Sequence, residues 1–198
     1  MSDSNARTLL QQASAERARL ARHLLVAAAL REILSTDPII VGGTAEEYWT
    51  EDEYHETDLD LCAPITRTDE ASLGRLGFSK EGRHWVHPRI NVAVEFPGSR
   101  IDGDASRTVE VPTSDAHARV IGVDDLYLDR LRQATIHERV EGIEFKSALA
   151  VTSACYDQID WEYVEDRLAA IIREEGDVGA SMKRIDARIR RRVRRQIR

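Results

Sequence analysis

The stretch Ile39-Ile40-Val41-Gly42-Gly43-Thr44-Ala45-Glu46-Glu47-Tyr48-Trp49, followed after an acidic run by Thr57-Asp58-Leu59-Asp60-Leu61, decides how the rest of the chain is read. Ile39 to Val41 is a short apolar strand. It runs into Gly42-Gly43, where the missing side chains let the backbone turn sharply and bring its N–H groups close to a ligand. The helix that follows would aim its positive end at that ligand. Asp58 and Asp60 stand two apart in an apolar run, so on a strand both carboxylates leave one face while Leu59 and Leu61 leave the other. Two carboxylates on one face suit Mg²⁺, which takes oxygen ligands and shares them with substrate phosphates.

A third acid is available in Arg89-Ile90-Asn91-Val92-Ala93-Val94-Glu95-Phe96. Alternation there puts Asn91, Ala93 and Glu95 on one face and Val92, Val94 and Phe96 on the other. Taken singly, each piece has an ordinary structural reading: Gly-Gly is a tight turn, Thr44 caps a helix, and strand-end acids are solvated. Strand, Gly-Gly, helix, a strand with two acids and a later strand with one acid form a joint pattern. With Gly-Gly-Thr-Ala and Thr-Asp-Leu-Asp in that order, the chain resembles the DNA polymerase β-like nucleotidyltransferase superfamily. Tyr48 and Tyr54, with a Gly43-to-Asp58 gap longer than in the polymerases, make it similar to small prokaryotic proteins related to the AbiEii-type toxins. The resemblance covers Ile39 to Phe96 and is looser beyond.

The resemblance implies a fold and a chemistry. The fold is α/β (α+β), a nucleotidyltransferase-type mixed sheet with flanking helices over residues 1–122, then a helical region with a basic tail over 123–198. Asp58, Asp60 and Glu95 would bind Mg²⁺ as catalytic ligands, and Gly42, Gly43 and Thr44 would hold the phosphates of an NTP. Lys146, the one lysine of the helical half outside the tail, looks like the basic residue that related toxins place near the triphosphate, and Arg130 and Arg132 are similar candidates. The competing reading of these arginines is surface pairing with Asp124, Asp125 or Asp129. The reaction implied is transfer of a nucleoside monophosphate to an RNA (tRNA-like) or protein acceptor, with a cognate toxin or antitoxin protein as a further partner. A non-catalytic nucleotide- or RNA-binding module, an antitoxin, and small-molecule nucleotidylation such as that of aminoglycosides remain alternatives on the same residues.

Composition bounds these readings. A chain of 198 residues with 42% hydrophobic content supports one domain or a small domain with a helical appendage. No apolar run reaches the roughly 18–20 residues of a membrane span, and Arg7, Glu16 and Arg17 interrupt the start, so a cytoplasmic protein without a secretory signal is expected. Cys62 and Cys155 lack metal-ligand spacing and read as reduced packing residues. The net charge of −7 is unevenly placed: nine Lys or Arg against one Asp from Lys183 onward give the tail +8, leaving about −15 elsewhere. Only Lys80, Lys146 and Lys183 of the 28 basic residues are lysine. That bias fits a salt-adapted cytoplasm or a GC-rich genome.

Periodicity predicts one long helix over residues 6–34, released into the first strand by Asp37-Pro38. A short helix over 68–76 should stop at Gly77, and a hairpin around Gly82 should feed a strand over 90–96 lying antiparallel to the Asp58/Asp60 strand. Residues 107–111 and 117–121 either complete the sheet or form a separate hairpin. Helices are expected from Asp124 as cap, over 141–156, over 161–174 capped by Asp160, and over 180–198. In the last, Ile185, Ile189, Val193 and Ile197 form an apolar stripe in an arginine field that either grips RNA or folds onto the acidic body. Tyr48 and Trp49 read as core or loop anchors, and His55, His84 and His87 as loop or surface histidines. Arg132 and His137 also fit the Arg-x4-His spacing of HEPN ribonucleases, without the helical bundle that should precede it.

Overall fold

The computed structural model describes residues 2–51, 58–136 and 142–196. Tyr54, His55, His137 and Ile197 lie outside the described residues. The chain divides into two compact units, Met1–Tyr48 with Asp52–Ile121, and Trp49–Glu51 with Gly122–Arg198.

The first unit holds a mixed seven-stranded sheet of order β3-β4-β5-β2-β1-β7-β6. Its strands are β1 (Ile39–Ile40), β2 (Asp58–Cys62), β3 (Ser79–Glu81), β4 (His84–His87), β5 (Val92–Glu95), β6 (Val109–Pro112) and β7 (His117–Val120). β1 pairs antiparallel with β2 and parallel with β7. β6 and β7 therefore complete the sheet at one edge. β5 pairs with β2 in parallel, with Asp58 opposite Ala93, Leu59 opposite Val94 and Asp60 opposite Glu95. This corrects the antiparallel arrangement read from the sequence. Helix α4 (Arg67–Arg75) lies between β2 and β3, so the chain re-enters the sheet in its original direction. β4 reverses against β3, and β5 reverses again against β4.

The register sorts the residues. Leu59, Leu61, Trp85, Val92 and Val94 are buried on one face, whereas Asp58, Asp60 and Glu95 are only partly buried on the other. The single long N-terminal helix is instead two, α1 (Ser2–Ala15) and α2 (Arg19–Arg31). Neither Gly nor Pro breaks it. The Glu16 side chain accepts the Ala18 backbone N–H at 2.8 Å, and Ala18 is extended, which lets α1 and α2 pack on one another. α4 starts at a capping box in which Thr66 and Asp69 bond reciprocally, and Ser35 also donates to Asp69 through its N–H and its hydroxyl, both at 2.8 Å.

The second unit is helical: α5 (Val123–Ile136), α6 (Ile143–Cys155), α7 (Trp161–Glu175) and α8 (Asp177–Gln196), preceded in the chain by the last residues of α3 (Gly42–Thr50). Its core includes Leu126, Leu131, Val151, Leu168, Met182, Ile189 and Val193. A polar network runs through it: the buried Tyr127 hydroxyl donates to Asp186 at 2.9 Å, Arg190 Nε donates to the same oxygen at 2.7 Å, and the Arg190 guanidinium lies 4.2 Å from the Trp161 ring centre. Asp160 caps α7 as its position implies, and Gly176 at φ +50° ends it. Asp124 does not cap α5. It sits in the first turn and accepts the Asp160 N–H at 2.7 Å. Both cysteines are free and buried, and burial pushes the Cys62 thiol up to about 11. No helix among the described residues is long and apolar enough to cross a membrane.

Candidate active site

β2 alternates because Leu59 and Leu61 enter the core, and that alternation delivers Asp58 and Asp60 together to the opposite face. Glu95 stands beside Asp60 on the neighbouring strand. Adjacent strands lie roughly 4.8 Å apart, so these two carboxylates are direct neighbours on the sheet surface. Gly42 opens α3 at φ +63°, a conformation that a residue with a Cβ adopts only with strain. A Cβ there would also collide with Asp60 Oδ2. The glycine corner and the second aspartate thus share one small volume, tied by the Val41 N–H donating to the Asp60 carbonyl at 3.0 Å.

Two further side chains enter the acid face. His84 pairs in register with Glu95, and its Nε2 is 3.3 Å from Asp58 Oδ2 and 3.4 Å from Glu95 Oε2. Arg83 Nε lies 3.2 Å from the same Glu95 oxygen. His84 Nε2 is buried and makes no well-formed hydrogen bond with either acid among the described residues. The acids are therefore brought onto one face but not onto one point: among the described residues no group of three His, Cys, Asp or Glu side chains is placed to hold a metal ion. The chemistry of the donor set, three hard carboxylates beside a glycine corner, suits Mg²⁺. Asp58 and Glu95 lean toward the imidazole, whereas Asp60 lies against Gly42.

Thr44 faces inward. It is buried, with its hydroxyl 2.9 Å from Nδ1 of the buried His23 on α2. Burial first, then the nearby Arg22 and Arg19, lowers the His23 imidazole to about 4, against a smaller opposing pull from Asp58. Gly43 is buried one residue earlier. Arg19 is held by Glu47, with Nε at 3.2 Å and Nη2 at 2.9 Å from the same oxygen. Arg19 and Arg22 also line a cavity of about 320 Å³ together with Asp58, Val86, Asn91 and Ala93.

The remaining candidates belong to the helical unit. Lys146 is exposed in the first turn of α6. Arg130 is buried in α5 and donates to Gln133 at 2.9 Å. Arg132 makes a two-pronged pair with Glu175 of α7, at 2.6 and 2.8 Å. His87 is buried, donating toward the Leu76 carbonyl at 3.2 Å and edge-on to Phe78. Sequence reading missed His84, Arg83, Arg19, Arg22 and His23. Only His84 carried a signal, its alternation with the buried Trp85, which puts it on the polar face of its strand.

No family model matches the chain, and no curated protein matches it. Among solved structures it is similar to the antibiotic-resistance factor ANT(2'')-Ia, whose solution structure is described as revealing substrate-regulated conformation dynamics. The likeness spans 87% of this chain and 97% of that one, at 17% identity and a TM-score of 0.48, a distant likeness from which nothing about activity follows.

Proposed function

We propose that the first unit is a Mg²⁺-dependent nucleotidyltransferase acting from an NTP on an RNA acceptor. The observation that carries this is the in-register pairing of Asp60 with Glu95 beside Asp58, with the Asp60 carboxylate packed against the Gly42 corner. Asp58 and Asp60 would hold the ion, joined by Glu95 once its carboxylate leaves Arg83 and His84. When bound, Mg²⁺ supplies charge neutralisation along the triphosphate and acidifies the attacking hydroxyl. The chain's own part is placement. The N–H groups that open α3 have no earlier turn to bond to and are available to phosphate oxygens. With the Thr44 hydroxyl taken by His23, those backbone groups carry the phosphate contact.

The arginine helix supports an RNA acceptor. Arg184, Arg188, Arg191 and Arg195 of α8 are exposed at i, i+4, i+7 and i+11, which is one stripe of the helix. A cognate antitoxin would act by covering the acid face. The test is incubation with labelled NTPs, Mg²⁺ and total RNA, comparing the native chain with Asp58→Ala. Label on RNA that vanishes in the variant is expected. Folded Asp58→Ala with unchanged labelling, or no label from either protein, overturns the reading.

A second reading, a nucleotide-binding module without transfer, is favoured by His84 standing between Asp58 and Glu95. It is distinguished by Mg²⁺-dependent stabilisation with NTP and no label on any acceptor.

A further inference from the structure

The cavity beside Asp58 has a chemistry that the transferase reading does not use. Its walls are Val86, Pro88, Val92 and Ala93, its polar groups are Arg19, Arg22, Asp58 and Asn91, and its volume of about 320 Å³ is enough for one nucleotide. The two arginines differ. Arg19 is neutralised by Glu47, whereas among the described residues the one side-chain bond of Arg22 is a long 3.4 Å contact from Nη1 to the Glu16 carbonyl. Arg22 Nε is buried without a hydrogen-bond partner among the described residues. The guanidinium is therefore under-bonded where Arg22 lines the cavity, which leaves its charge to an incoming anion. Asn91 also lines the cavity, in a left-handed conformation at φ +54° just before β5. The Gly42 corner lies against Asp60, while this cavity opens beside Asp58, two residues earlier on the strand.

We infer that this cavity is the docking site for the acceptor, and that it takes the phosphate of a nucleic-acid end on the Arg22 fork. The inference deepens the proposed transferase by naming where its acceptor sits. A planar fork matched to phosphate oxygens gives a charge-assisted, two-point grip, with the apolar walls left to the sugar and base. A polycationic acceptor such as an aminoglycoside meets the Arg22 charge, which no ion pair among the described residues balances, and offers no anion for the fork to grip. Asp58 opposes a phosphate as well, so the grip is strongest when that carboxylate is neutralised.

The test uses the full chain, isotope-labelled, with the amide resonances of Asn91 and Ala93 as site-specific reporters that separate this cavity from binding on α8. The probes are a 5′-phosphorylated dinucleotide, inorganic phosphate and an aminoglycoside. The dinucleotide should shift both reporters at lower concentration than inorganic phosphate, and the aminoglycoside should leave them in place. Arg22→Gln should weaken the dinucleotide about tenfold, the loss of one charged hydrogen bond, and Arg22→Lys should recover part of that. Asp58→Asn should leave binding intact or tighten it. Persistence of Arg22-dependent binding in Asp58→Asn, with no transfer activity in the native chain, would sustain the docking site while ending the transferase reading. Reporter shifts that ignore Arg22→Gln, a stronger response to the aminoglycoside, or equal response to free phosphate would overturn the inference.

Discussion

The Asp60 carboxylate occupies the space that a side chain on Gly42 would need. Gly42 is therefore required twice, once for its φ of +63° and once for the volume it leaves empty. Gly42→Ala should cost about 1–3 kcal/mol in urea denaturation from backbone strain, plus displacement of Asp60. The double variant Gly42→Ala/Asp60→Ala should recover the collision but not the strain. Equal stability of the single and double variants would show that the two residues do not compete for that space.

His23 gives the first unit a pH dependence of known sign. Its folded-state imidazole titrates at about 4 against an ordinary 6.5, so between those values the unfolded chain holds the extra proton. Stability should be full above pH 6.5, fall as pH drops toward 4, and lose no more from this group below that. The loss is at most about 3 kcal/mol. His23→Asn, able to bond Thr44 without titrating, should flatten denaturation midpoints over that window. A slope unchanged in the variant would assign the acid sensitivity elsewhere.

Asp69 joins α4 to the loop after α2. Burial alone would raise its carboxyl, but hydrogen bonds from Thr66 and Ser35 outweigh that and hold it down at about 2. Its contribution is present above about pH 4 and is lost as pH falls toward 2. Asp69→Ala removes the reciprocal half of the capping box, leaving the Thr66 cap, and strands the Ser35 donors, so a loss of about 2–4 kcal/mol in chemical denaturation is expected. Asp69→Asn, which keeps acceptor capacity on one atom, should lose less.

In the helical unit, Asp186 accepts from both Tyr127 and Arg190. Tyr127→Phe removes one neutral donor and should cost about 1 kcal/mol. Asp186→Ala strands the buried Tyr127 hydroxyl and leaves Arg190 only the part-exposed Glu165, 2.9 Å from its Nη2, and should cost about 1–3 kcal/mol. A double-mutant cycle over Tyr127 and Asp186 isolates the energy of their hydrogen bond, and an additive result would mean that this bond contributes nothing.

The alternation of Asp58, Leu59, Asp60 and Leu61 was legible because a half-buried strand has a period of two, and the same rule sorted Val92 to Glu95. Strand direction was not legible from those residues. It depends on counting reversals through α4 and the β3–β4 hairpin, and treating β5 as a simple return strand lost one reversal. The break at Glu16–Ala18 escaped because a side-chain carboxylate, rather than Gly or Pro, takes the backbone donor there. His23, Arg19 and Arg22 read as ordinary positions on an amphipathic helix. What distinguishes them is proximity to Thr44, Glu47 and Asp58, a tertiary relation with no local pattern.

β1 has two residues, yet Ile39 and Ile40 form the only seam joining the four strands on the acid side to the β6–β7 hairpin among the described residues. Ile40 faces Leu61 on one side and Val120, eighty positions downstream, on the other. A one-residue deletion before Val41 would slip that seam by a single rung. Every side chain in it would change sides, and the glycine corner would be carried away from Asp60 even though no residue of the candidate site had been altered.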